Sequence, residues 1–291
     1  MMKTKLTRKC QKLMNNNSHN ASRSHFARGA AFVIAALLAF NAYAQSDDFG
    51  MDFSLGAEKK LSSNINLAVD ANARTQDNTS KMERWGVGAA LDMKVYNTKT
   101  FDIKTSLGWE YIWQNKLATC EDWTSKKTGL SKGYKEKDGY WRNRHRTSLG
   151  FAASYKPNKR WKYSLKETFQ YNHYCESSTD IYKYASVNSE YGQQYELDET
   201  EHKIYNPKDL VILRSKLAIQ YDIKHSPFSP FASADYGCGI NYTANKWKFA
   251  AGTDFNINKK NKLSIYYRFQ TENDDDEPNG HILGLGYNIK L

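Results

Sequence analysis

The chain has 291 residues, of which 42 are Lys or Arg and 31 are Asp or Glu, a formal charge of +11. Seven of the basic residues (Lys3, Lys5, Arg8, Lys9, Lys12, Arg23, Arg28) and no acid precede Ala44, so the remainder balances at 35 against 31. The basic excess belongs largely to the first segment, and with no nucleic-acid motif it gives no reason to expect such a partner.

That segment reads as a secretory leader. Residues 1–28 are basic and acid-free, Ala30–Phe40 is uninterruptedly apolar, and Ala42-Tyr43-Ala44 offers a small-x-small cleavage site. An apolar run this short falls below the roughly 20 residues a spanning helix needs. Residues 1–44 are therefore expected to be removed during Sec export, leaving 45–291 as one domain.

Beyond Ala44 the chain alternates. Met51, Phe53 and Leu55 interleave with Asp52, Ser54 and Gly56, and Leu67, Val69 and Ala71 interleave with Asn66, Asp70 and Asn72. Rows of the same kind follow through Trp85–Val95, Phe101–Trp113, Leu149–Tyr155, Trp161–Tyr171, Val211–Ile223, Ala232–Tyr242, Trp247–Ile257, Leu263–Phe269 and Leu283–Leu291. A period of two over such lengths predicts strands with one wet and one apolar face. No helical periodicity competes with it.

Connections are short at Asn97–Thr100, Lys156–Lys159, His225–Ser229 and Lys259–Asn261, and long at Gln114–Gly139 and His173–Lys208. Strands of about ten residues with short turns at one end and long loops at the other predict an antiparallel transmembrane β-barrel. Its short turns would be periplasmic and its long loops extracellular. A secreted β-sandwich is the competing fold, but it has no need of a Trp- and Tyr-rich apolar exterior. Eleven rows can be counted; because bacterial single-chain barrels have even strand numbers, twelve strands are expected, with ten as the alternative.

Several blocks carry a resemblance: Gly56-Ala57-Glu58-Lys59-Lys60, Arg142-x-Arg144-His145-Arg146, Leu213-Arg214-Ser215-Lys216-Leu217 with Pro230-Phe231, Tyr266-Tyr267-Arg268-Phe269-Gln270, and Asp274-Asp275-Asp276-Glu277-Pro278-Asn279. With them the chain resembles an uncharacterised outer-membrane barrel family, number 2490 in the domain-of-unknown-function series, found mostly in Bacteroidota. The resemblance implies a barrel in the outer membrane of a Gram-negative bacterium, delivered by the barrel assembly machinery among phospholipid and lipopolysaccharide. It implies no activity, since a fold hosts many functions.

Strand parity places about twice as many bases as acids on the wet face. Arg142, Arg144 and Arg146 stand at i, i+2 and i+4 on one strand, about 6.8 Å apart. Arg214, Lys216 and Arg268 join this basic lining, and Asp70, Asp92, Glu110 and Glu272 are the expected acidic partners. Two readings stay open. The lumen is a closed salt-bridge core, or it is a narrow path or binding site for small anionic solutes, whose oxygens the guanidinium fork matches.

On the opposite face, a tight turn after Tyr155 would set Thr147 against Glu167, with His145 diagonal to Glu167. Such a trio would suit a lipid hydrolase or acyltransferase reaching sideways into the membrane, though no oxyanion motif accompanies it. Catalysis is otherwise not expected. Cys120 and Cys175 lie in or beside the two long loops, where an oxidising compartment would allow a disulfide. The tyrosines of the second loop suit glycan or protein contact, or a plug in the lumen. The acidic run Glu272–Glu277 lacks cation-loop spacing, and neither metal nor cofactor is expected.

Overall fold

A computed structural model describes residues 48–125, 129–189, 192–243, 245–272 and 279–291; the expected leader and most of the 272–277 acidic run lie outside the described residues. Eleven strands close a barrel: β1 (Asp48–Lys60), β2 (Ile65–Gln76), β3 (Lys81–Asn97), β4 (Phe101–Lys116), β7 (Tyr140–Tyr155), β8 (Trp161–Tyr174), β11 (Lys208–Tyr221), β12 (Phe228–Gly239), β13 (Asn245–Asn256), β14 (Asn261–Glu272) and β15 (Gly280–Lys290). Four more form a separate sheet: β5 (Thr119–Thr124), β6 (Ser131–Lys137), β9 (Ser177–Ser189) and β10 (Gly192–Tyr205).

The expected twelfth strand does not exist among the described residues. Successive barrel strands are antiparallel, but β1 and β15 pair in parallel, from Asp48 opposite Gly280 to Glu58 opposite Lys290. A ring of purely antiparallel neighbours must be even-numbered, and one parallel seam makes it odd. The same seam puts the start of β1 at the long-connection end and the end of β15 at the short-turn end.

The short turns share a local device. Ser62, Thr98, Asn158 and Asn258 each use a side-chain oxygen to accept a backbone N–H two or three residues ahead. Such side chains mimic a backbone turn and reverse the chain cheaply.

Parity sorts the faces. Val69, Leu91, Leu107, Leu149, Leu165, Leu217, Ile265 and Leu285 point outward and are all more than a third exposed. Aromatic rings flank this aliphatic band on both sides. Trp85, Trp109, Tyr171 and Trp247 lie toward the long-connection end, and Tyr96, Phe101, Tyr155, Trp161 and Tyr163 toward the short turns.

The long connections are not loops. Each forms a hairpin, β5–β6 and β9–β10, and β6 pairs with β9, giving the order β10-β9-β6-β5. This arrangement also overturns the disulfide. Cys120 is opposite Glu136 and Glu136 opposite Tyr182, so Cys120 stands two strand spacings, about 10 Å, from β9. Cys175 lies seven residues before Tyr182, about 23 Å along an extended chain. A disulfide tolerates roughly 7 Å between Cα atoms, and both thiols are free.

Candidate functional site

The inward face divides the lumen into two layers. Toward the long-connection end, inward side chains from around the circumference are nearly inaccessible: Gln76, Glu83, Ile112, Gln114, Arg144, Asn172, Tyr174, Leu210, Gln270 and Ile282. They fill the lumen as a packed layer. Toward the short turns, Lys94, Lys104 and Lys162 are partly accessible, and Lys166 and Lys216 are exposed to the lumen's water.

The arginine stripe belongs to the packed layer. Arg142 donates from Nε to the Cys175 carbonyl (3.2 Å) and from a terminal nitrogen to the Asn206 carbonyl (2.8 Å). Its guanidinium also lies over the rings of Tyr174 and Tyr205, at 5.2 and 5.8 Å. Arg144 donates to the Tyr174 hydroxyl and lies over the same ring. Arg146 bonds Asn172 Oδ1 and Glu110 Oε2, both at 2.9 Å, and Asn72 donates to the other Glu110 oxygen at 2.8 Å. The stripe uses its planar forks for stacking and for directed bonds.

Of the expected acidic partners whose side chains are described, only Glu110 serves a stripe arginine. Asp70 and Asp92 meet no basic side chain among the described residues, and Asp70 instead neighbours Asn72 and Glu110. Glu272 is opposite Lys246 in the backbone register, and its side chain lies outside the described residues.

Three other acids carry more of the pairing, and all are absent from the expected set. Asp52 Oδ2 accepts from Arg268 at 2.7 Å and from Arg74 at 3.3 Å, and Arg74 also lies 3.6 Å from Glu83. Asp52 is visible on the first wet row. Glu83 is not, because its number has outward parity. The register between β2 and β3 shifts at Arg74/Thr75, and this bulge turns Glu83 and Arg84 inward together. Arg214 grips both oxygens of Asp235, and Lys216 stands beside that pair without joining it.

Beneath the packed layer lies a cavity of about 500 Å³. Its lining includes seven basic residues, Arg268 and Lys216 among them, and three carboxylates, Asp52, Asp70 and Asp235. A second cavity of about 190 Å³ opens at the short-turn mouth, lined by Lys94, Lys104, Lys156 and Asp102.

Residues 49–281 match a family described as "Protein of unknown function (DUF2490)". The chain belongs to this family. No curated protein matches it. Among solved structures, this DUF2490 member is similar to the β domain of the Bordetella autotransporter BrkA, at 10% identity, TM-score 0.41, and 78% and 82% coverage of the two chains. It is also similar to the Ralstonia pickettii toluene transporter TbuX (11%, TM-score 0.39, 72% and 67%). A third similarity is to the Escherichia coli outer-membrane transporter YddB (11%, TM-score 0.26), where 79% of this chain spans 42% of the transporter.

On the outer wall of this family member the expected trio does not assemble. Tyr155 is opposite Tyr163, four residues off the tighter register, so Thr147 meets Tyr171 and Glu167 meets Phe151. Glu167 accepts instead from Ser215 Oγ on β11 at 2.6 Å, and His145 lies among Tyr111, Trp109 and His173. The loop tyrosines also part company. Tyr174 enters the packed layer, while Tyr134, Tyr184 and Tyr195 cluster on the separate sheet with ring centroids 4.7 and 5.1 Å apart. Desolvation, then neighbouring Tyr184 and Glu136, raise the Tyr134 phenol above its ordinary value.

Proposed function

We propose that the protein is an outer-membrane barrel of a Gram-negative bacterium that binds a small anionic solute in a basin open toward the periplasm and closed toward the cell surface. The outward aliphatic band between two aromatic girdles supports the membrane setting, since such a band matches the hydrocarbon layer of outer-membrane barrels. In that setting the leader is removed after Sec export, the assembly machinery inserts the barrel, and lipopolysaccharide surrounds its outer rim. The separate sheet then lies outside the cell.

The observation that carries the reading is the lumen's division. A packed layer of paired arginines and amides closes one end, and a cavity with seven basic residues against three carboxylates lies below it. Such a lining attracts anions and, with low-dielectric walls, focuses their field. The seal supports binding over conduction. The reading involves no catalysis.

Titration calorimetry of the detergent-solubilised barrel with citrate tests it, together with planar-bilayer recording. Saturable binding that weakens with ionic strength is expected, with no steady conductance steps. Ohmic steps through the unmodified barrel, or no citrate heat at low salt, overturn the reading.

A further inference from the structure

Backbone register brings together lysines that are far apart in the chain. Lys94 on β3 is opposite Lys104 on β4, and Lys104 is opposite Ala152 on β7. Ala152 is opposite Lys166 on β8, Lys166 is opposite Lys216 on β11, and Lys216 is opposite Asp235 on β12. Asp235 in turn is opposite Lys248 on β13. All of these positions have inward parity. One continuous row thus crosses seven strands and carries five lysines.

Barrel strands tilt against the axis, so a row perpendicular to the strands climbs as it circles. This one starts in the mouth cavity, where Lys94 and Lys104 are lining residues, and ends in the inner basin, where Lys216 and Lys248 are. Lys166 stands between the two, its stem passing over Gly150.

The centre of the row is short of counter-charge, since the Asp235 carboxylate opposite Lys216 is shared with Arg214. Lys104 reaches Asp102 at 3.5 Å. The single carboxylate in the row, Asp235, has both oxygens taken by Arg214. Lys166 and Lys216 have no ion pair or hydrogen-bond partner among the described residues, and both are exposed to the lumen. Like charges directly opposite each other destabilise a sheet. A small side chain at either position would relieve that, so the pair disfavours folding unless something anionic answers it.

We infer that this lysine row is the binding track for an extended polyanion, a short linear chain whose charges repeat at roughly the strand spacing of about 5 Å, of the acidic-oligosaccharide class. A compact anion can be held by the other basic residues of the inner basin, without the Lys166–Lys216 pair. A linear one meets the row from mouth to basin, gaining a contact at each successive charge. Ammonium groups on flexible stems suit this task, since each follows a moving charge without imposing the fixed fork geometry of arginine. The inference rests on the anion-binding reading above and deepens it.

The experiment compares two trianions of different shape, citrate and trigalacturonate, on the full-length barrel in detergent and on its Lys166→Gln/Lys216→Gln variant. Trigalacturonate is expected to bind the unmodified barrel at least tenfold more tightly than citrate. The double substitution is expected to weaken trigalacturonate at least tenfold and citrate less than threefold. Equal affinities for the two trianions, or equal losses in the variant, overturn the track and leave the basin standing. If neither anion binds the unmodified barrel, the anion-binding reading itself falls. The variant also has a readout independent of any ligand. Relieving the Lys166–Lys216 repulsion should keep or raise the temperature at which the folded, heat-modifiable gel band disappears. A lowered temperature or failure to fold would mean that the lysines are structurally paired, and the track would be lost with it.

Discussion

The two ends of the lumen are lined by the same kind of alternating strand and by the same sign of charge, yet they are built for opposite ends. In the packed layer every stripe arginine meets a carbonyl, a carboxylate, an amide or a ring. In the open half, Lys166 and Lys216 face one another across two strands with no acid between them. Basic residues on one wall therefore have no common role. What a given cation does depends on which strand neighbours the register delivers to it. Arginine suits the closed end, where planar, weakly hydrated forks stack and bond in pairs, and lysine suits the end that stays wet.

The comparison breaks most severely at Asp52. Its carboxylate holds Arg74 and Arg268 in the packed layer with little access to solvent, and Asp52→Ala leaves two guanidinium groups without it. Removing one partner from a buried charge network costs about 3–5 kcal/mol. The folded gel band of this variant should disappear at a clearly lower temperature than that of the unmodified barrel. An unchanged temperature would mean that the layer is not held by charge.

An effect of middle size concerns the seal as a barrier. Arg144→Gly with Tyr174→Ala removes a guanidinium and the ring it stacks on from the centre of the packed layer. Planar-bilayer recording should then show conductance steps, anion-selective by reversal potential because the remaining lining is basic. A variant as silent as the parent would place the constriction elsewhere, with the separate sheet as the next candidate.

The smallest effect lies outside the barrel and contrasts an exposed charge cluster with the buried one. Lys183 donates to Glu199 and Glu201 across the β9–β10 hairpin, at 2.8 and 3.0 Å. Those bonds raise the lysine above its ordinary value, and the Lys183 bond lowers Glu201 below the usual carboxylate range. A depressed carboxylate adds stability above its unfolded value and loses it as pH falls through the folded one; a raised lysine adds stability below its unfolded value and loses it as pH rises through the folded one. Amide exchange in β9 and β10, corrected for intrinsic rates, should be slowest near neutrality and quicken in acid and in strong alkali. Solvent screening keeps the change small. A pH-independent profile would remove the cluster from the hairpin's stability.

Much of this was legible in the residues. The inward placement of Arg142, Arg144, Arg146, Arg214, Lys216 and Arg268 follows from parity, because side chains alternate strictly along a strand and one face here is apolar. Parity fails where the strand is irregular. Glu83 reads as outward and lies inward, because a bulge adds a residue that no local pattern announces. The Thr147–His145–Glu167 arrangement fails for a different reason. A shift of four residues in the β7–β8 register sets other partners opposite each other, and turn composition alone did not distinguish the two. The long connections looked like loops because each β5–β6 and β9–β10 hairpin gains its sheet only by pairing with the other.

By itself the sequence determined what is local: strand, face, short-turn chemistry and the sign of the lining, since each depends on a residue and its near neighbours along the chain. The tertiary structure alone decided which charges meet. It closed eleven strands through a parallel seam, gave Asp52 to two arginines and aligned five lysines in one row. Pairing register is a relation between residues up to 232 apart in the chain, fixed by the ring closing on itself and by the buried layer packing, and no single stretch of the chain contains it.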